Sequence, residues 1–272
     1  MKLRFIGDLH IGKRPSHSTL LSCQRYKKAL GKSISEVLRD ALAPTLAVQL
    51  GDMFDSYAVT DNSLAAAFHY STGLMGLKFI LRGNHDYSHN SLNPSALNNL
   101  KEILKETPTI IVDKPKTYKL TDNAYLHFVP YLPTQAEFIK ASAEVKPVKG
   151  ACNILCLHTN IWGDVKHNQG VTENNLPGWL SEKLTREFDL VVSGHEHNSS
   201  VKQGVHMVGN LLPCGFGEIS DKFVLDYDTD TKLISKEKTW NAKEKFLRSD
   251  YAYFLNLKVS HPYQFIEITG EL

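Results

Sequence analysis

The chain has 272 residues, 42% of them hydrophobic and 22% charged, the make-up of a globular protein with room for a large core. Its 31 basic residues against 29 acidic ones leave a formal charge of +2, so attraction for a polyanion must come from a local patch rather than from the whole molecule. No run approaches the ~20 apolar residues of a membrane span and no signal-peptide core is visible, while Cys23, Cys152, Cys156 and Cys214 form no CxxC pair; a cytoplasmic, reducing location with buried thiols is expected.

Apolar runs of strand length alternate with helix-length segments, which predicts an α/β protein with buried central strands. The predicted strands are "LRFIG" (3–7), "LAVQL" (46–50), "LKFIL" (77–81), "NILCL" (153–157) and "DLVVSG" (189–194). Helices are expected over 20–43, 62–76 and 94–106, the last opening on a proline suited to a first turn. Beyond residue 201, "VHMVGN", "KFVLDYD" and "LISKEKTW" read as antiparallel strands, with "DTDT" as the turn between the last two. The charged stretch "NAKEKFLRSD" (241–250) is the expected boundary between a main domain, 1–240, and a short C-terminal β extension, 241–272, carrying "YAYFLNLKVS" and "YQFIEI".

Each of the five buried runs ends in polar residues. Asp8 and His10 follow the first, and Gly51, Asp52 and Asp55 the second; then come Asn84, His85 and Asp86, next His158, and last His195 and His197. Sites in open α/β sheets form outside the carboxyl ends of strands, so five strand ends deliver these groups to one place. Carboxylates, imidazoles and one carboxamide, without a thiolate, make a ligand set for first-row divalent ions, sufficient for two ions sharing a carboxylate. DxH or GNHD alone reads equally as a turn with a surface histidine. The ordered series of five does not.

The motifs "GDLHIG", "GDMFDS", "RGNHDY", "CLHTN" and "GHEH" resemble the signature of the calcineurin-like metallophosphoesterases, across residues 6–197. The stretches "GDMFDS", "VPYLP" and "LPGWLSEKLTREFDLVVSGHEH" are further similar to nuclease subunits of the Mre11 and SbcD type. The resemblance implies a two-sheet sandwich flanked by helices, α/β/β/α. It also implies one ion on Asp8, His10 and His197, a second on Asn84, His158 and His195, Asp52 between them, and a metal-bridging water as nucleophile. Manganese is the first expectation, with iron, zinc or magnesium as alternatives. His85 would protonate the leaving oxygen or stabilise the phosphoryl group, and Asp86 would orient His85. Asp55 would be a supporting hydrogen-bond partner.

For the substrate, the stretch from Ile11 to Ser35 carries Lys13, Arg14, Arg25, Lys27, Lys28 and Lys32 with no acidic residue. Such a lip beside a phosphodiester-cleaving site would hold a nucleic-acid backbone, although a solvated helix face reads equally well. The loop after His158, with Trp162, offers a stacking surface or a core anchor. Single- or double-stranded DNA is the expected substrate of an exo- or endonuclease, with a Rad50/SbcC-like ATPase subunit and a homodimer as expected partners and no membrane. Arg82 is a further substrate-binding candidate, and because "LRGNH" also resembles the phosphoprotein phosphatases it favours the alternative, a phosphomonoesterase or protein phosphatase; a small-molecule phosphodiesterase is a further alternative. A noncatalytic scaffold would have no need of the complete ligand set. The 75 residues after His197 leave little length for a capping domain.

Overall fold

Alternation of buried side chains between two faces makes the strands, and both faces are covered. A computed structural model describes residues 1–13, 46–73, 77–88, 95–161, 174–211, 214, 218, 220–240, 246–250 and 265–269. In chain order the elements are β1 (Lys2–Ile6), β2 (Leu46–Gln49), α1 (Asp61–Gly73), β3 (Leu77–Leu81), α2 (Leu97–Leu104), β4 (Thr109–Val112), β5 (Lys116–Thr121), β6 (Ala124–Val129) and α3 (Gln135–Glu144). They continue with β7 (Cys152–His158), β8 (Asn160–Ile161), β9 (Asn175–Leu176), α4 (Gly178–Glu187), β10 (Leu190–Gly194), β11 (Ser200–Lys202), β12 (Val205–Met207), β13 (Lys222–Asp228), β14 (Ile234–Trp240), β15 (Phe246–Asp250) and β16 (Phe265–Thr269).

One six-stranded sheet runs β14-β13-β1-β2-β3-β4 and the other β11-β12-β10-β7-β6-β5. In the first, β1 to β4 are parallel and β13 and β14 add antiparallel edges. In the second, β6, β7, β10 and β12 are parallel, with β5 and β11 antiparallel at the rims. Leu3, Phe5, Val48 and Phe79 of the first sheet meet Leu126, Phe128, Ile154, Cys156 and Val192 of the second in a central core. The intervening residues of the same strands point outward. Ile6 and Ile80 pack against α1 and α2 through Ala67, Tyr70, Leu97, Leu100 and Leu104. Leu155, Leu157 and Val191 pack against Phe138 of α3 and Leu180 and Leu184 of α4. A strand with helices on one face and a second sheet on the other must be apolar on both, which is why these runs lack the polar-out alternation of a half-exposed sheet. The four layers are the α/β/β/α arrangement expected.

Other expectations shift. Helix α1 is described over Asp61–Gly73, with 74–76 outside the described residues; α2 spans 97–104, and 20–43 lies outside the described residues. The "VHMVGN" strand is antiparallel to β11 but parallel to β10, so it extends the second sheet instead of joining the β13–β14 hairpin. The second half of the charged segment 241–250 is β15, paired in parallel with β16. The strand expected at 251–260 lies outside the described residues. No helix among the described residues is long and apolar enough to cross a membrane.

Candidate metal centre

Strands β1, β2 and β3 point one way in their sheet, as do β7 and β10 in theirs, and the chain leaves all five carboxyl ends carrying the polar motifs. Backbone hydrogen bonds fasten the loops together: the N–H groups of Leu9 and His10 both donate to the Asp52 carbonyl at 3.0 Å, and that of Ile11 to Met53 at 2.9 Å. Three residues of the cluster, His10 (φ 46°), Asp52 (φ 50°) and His195 (φ 79°), adopt left-handed backbone. That conformation costs a side-chain-bearing residue about 1–3 kcal/mol and persists where surrounding structure over-determines it. Here the Asp8 carboxylate grips the His195 N–H from both oxygens, at 3.0 and 3.1 Å. Gly51 is required for close approach, since a Cβ there would lie 2.1 Å from His158 Nδ1.

Asp8, His10, Asp52 and His158 are each exposed by 1% or less. Two imidazole nitrogens, His10 Nε2 and His197 Nε2, face one another at 3.1 Å. On the other side, Asn84 Oδ1 lies 2.9 Å from both His158 Nε2 and His195 Nδ1. Asp52 reaches both groups with one oxygen: Oδ2 is 3.4 Å from His158 Nε2 and 3.9 Å from His10 Nε2. Its Oδ1 accepts from the His85 N–H at 2.9 Å.

The protons on these rings follow from their outer partners. His158 Nδ1 donates to the Leu50 carbonyl at 2.8 Å and His197 Nδ1 to Glu218 Oε1 at 2.7 Å. His10 Nδ1 is 3.3 Å from Asp55 Oδ1, an ion-pair contact outside hydrogen-bond geometry that still favours the proton on Nδ1. In the neutral rings of His10, His158 and His197 the inward Nε2 atoms are therefore lone pairs, aimed at another lone pair or at a carboxamide oxygen. Such acceptor-to-acceptor contacts are satisfied by a cation. Without an ion the same carboxylates draw a proton instead: burial disfavours a charged His158, yet Asp52 and Asp8 beside it raise its pKa to about 9, so a metal and a proton compete for the Nε2 lone pair. Burial likewise works against the Asp52 carboxylate, but His158, His10 and His85 hold it well below the usual carboxylate range. The donor set fits divalent ions: His10, Asp52 and His85 form one group with ligand atoms within 4.8 Å of one another, and Asp52, His158 and His195 a second.

The structure brings Asp8, His10, Asp52, Asn84, His85, His158, His195 and His197 together and gives three other candidates, Asp86, Arg82 and Lys13, partners within the protein. Asp86 does not orient His85. Its buried carboxylate instead accepts from the backbone N–H groups of Gly83 (2.9 Å), Phe54 (3.0 Å) and Met53 (3.3 Å), tying two site loops, while His85 Nδ1 is held by the Asp55 carbonyl at 2.6 Å. Burial and the nearby Asp52 charge raise the Asp86 pKa to about 6. Arg82 is buried and donates to the Tyr131 carbonyl at 2.8 Å, with its guanidinium over the Tyr87 ring, and so braces the loop. Lys13 pairs with Asp55 at 3.0 Å and so steadies His10's neighbour. Arg14, Lys27, Lys28 and Trp162 lie outside the described residues.

Two contributors carry no sequence signal. Glu218 accepts from His197 Nδ1 through one oxygen and from Asn210 Nδ2 (2.8 Å) and the buried Lys222 Nζ (3.0 Å) through the other. Burial opposes its charge, but His197 and Lys222 hold its pKa at about 2. Cys214 also borders the centre, and burial beside Glu218 pushes its thiol up to about 12.

The chain is similar to several known proteins. "Putative phosphoesterase 244L" of Invertebrate iridescent virus 6 is 28% identical over 150 residues, 54% of this chain and 50% of that protein. "Putative phosphoesterase 078R" of Invertebrate iridescent virus 3 is 24% identical over 200 residues, 71% of this chain and 53% of that protein. The chain thus spans about half the length of these curated relatives. A solved structure described as a novel archaeal phosphodiesterase aligns with TM-score 0.43 and 15% identity, over 88% of this chain and 99% of that one. The family model described as calcineurin-like phosphoesterase matches residues 1–199, which include every strand-end motif, and the chain belongs to that family.

Proposed function

We propose that the protein is a phosphodiesterase working with two divalent ions, and that its substrate is DNA. The observation that carries the two-ion reading is the facing pair His10 Nε2 and His197 Nε2 and, beside it, the convergence of His158 and His195 on Asn84 Oδ1, with Asp52 facing both. Asp8, His10 and His197 would hold one ion, Asn84, His158 and His195 the other, with Asp52 shared. Manganese is the first choice of metal. Bound divalent ions supply charge neutralisation at the phosphorus centre and an activated water.

The chain's own groups do the rest. Asp8 fixes the His195 backbone and so aims both histidines of "GHEH". With Nδ1 pinned on the Asp55 carbonyl, His85 has Nε2 as the nitrogen that transfers a proton to the leaving oxygen. Glu218 holds His197 by the nitrogen away from the site, as the outer partners of metal-binding histidines do. Replacing Glu218 by glutamine keeps its size and removes its charge, and is expected to weaken divalent-ion affinity about 10- to 100-fold by competition titration. Unchanged affinity would take Glu218 out of the site.

The choice of DNA is supported by the Mre11- and SbcD-like stretches, and the same likeness extends the proposal to an ATPase partner and a homodimer. The two-histidine "GHEH" and the absence of a "GDYVDRG" pattern count against the phosphoprotein phosphatase alternative. The test is an assay of the purified protein with Mn(II) on single-stranded DNA, double-stranded DNA, bis-p-nitrophenyl phosphate and p-nitrophenyl phosphate. Cleavage of DNA and the diester with little action on the monoester is expected. Brisk monoester hydrolysis with intact DNA would overturn the assignment.

A further inference from the structure

The four cysteines read from sequence as core thiols, and of the three among the described residues two are. Cys156 is wholly buried between the sheets, and Cys152 Sγ contacts the Tyr227 hydroxyl at 3.7 Å. Cys214 is placed differently. Its sulfur and one ring nitrogen each of His10 and His197 lie within 4.8 Å of one another, a grouping able to hold a metal ion. His10 and His197 are the two rings whose Nε2 atoms oppose each other at 3.1 Å, so the sulfur borders the point where the lone pairs call for a cation.

The sulfur is also oriented. Asn210 Nδ2 donates to Cys214 Sγ at 3.2 Å and to Glu218 Oε2 at 2.8 Å, so one carboxamide steadies the thiol and the carboxylate that holds His197. The segment is moored to the centre by its backbone, with Leu211 N–H donating to the Asp8 carbonyl (3.1 Å) and Asn210 N–H to that of His197 (3.3 Å). Hydrogen bonding from an amide to sulfur is the support expected for a metal-bound thiolate.

We propose that Cys214 supplies a thiolate ligand to the ion held by His10 and His197, giving that half of the centre a preference for thiophilic ions such as Zn(II) or Fe(II). The inference rests on the two-ion reading above. As the sulfur–metal bond forms, the thiol proton leaves to solvent. Soft sulfur favours zinc and iron over manganese and magnesium, which prefer oxygen, so the two halves of the centre differ in metal choice.

The probe is Co(II), titrated into chelator-stripped protein and read by absorption, where thiolate coordination adds a sulfur-to-cobalt charge-transfer band in the near ultraviolet. The band is expected in the unaltered protein and in Cys23→Ser, and is expected to vanish in Cys214→Ser while the visible ligand-field bands of bound cobalt persist. Zn(II) affinity of Cys214→Ser should fall about 10-fold or more, at least what an outer partner costs, with Mn(II) affinity little changed. Because the band is read first on unaltered protein, the result does not depend on the variant folding. Cobalt bound without a sulfur band, or a band surviving Cys214→Ser, overturns the proposal and leaves the two-ion reading standing. No binding of cobalt at all overturns both.

Discussion

Asp52→Asn is expected to lower turnover on the order of 1,000-fold, the rate equivalent of about 4 kcal/mol of lost transition-state charge stabilisation. Asp52 Oδ2 faces His158 on one side and His10 on the other, and under the two-ion proposal it would serve both ions. Asparagine suits the test because the pocket tolerates no change of shape: a Cβ on Gly83 would lie only 2.1 Å from Asp52 Oδ1, and that oxygen also accepts from the His85 N–H. The variant should fold normally and hold metal poorly at both positions. Steady-state kinetics with metal analysis of the same sample checks it, and normal turnover at full occupancy would remove Asp52 from the shared position.

His85→Ala should behave in the opposite way, keeping its metals while losing roughly 100- to 10,000-fold in rate. The ring stands edge-on to His10, with centroids 4.8 Å apart, and its Nδ1 is fixed by a carbonyl, so its outer nitrogen is committed to orientation. Alanine preserves the backbone N–H that holds Asp52. Metal content measured beside the rate separates the two roles: a metal-depleted His85→Ala protein would make the ring a ligand, and a fully active one would leave it without a part in the chemistry.

The strand-end motifs were legible because strand and polar group adjoin in sequence, so a run such as "LKFIL" followed by "RGNHD" announces both the element and what it carries. Burial on both faces explained the runs and implied two covering layers. Other features depend on packing that sequence adjacency conceals. Asp86 follows His85 directly, which suggests a dyad, but the loop turns its carboxylate inward onto backbone N–H groups of another loop. Glu218 and Cys214 lie in a stretch without periodicity, and reach the centre because Leu211 and Asn210 are hydrogen-bonded to the Asp8 and His197 backbones. Strand β15, "FLRSD", has the charge of a linker and gains its identity from a partner fifteen or more residues away. Helix α3 carried a usable signal, the Thr134–Glu137 capping box, in a region where no element was expected.

The central claim is that five strand ends assemble a centre for two ions. Protein stripped with a chelator, dialysed against Mn(II) and analysed for metal per chain tests it directly, with paramagnetic resonance on the same sample reporting whether the ions are near enough to couple. The account predicts two manganese ions per chain with a spin-coupled signal; a single uncoupled ion, or none retained, would contradict it.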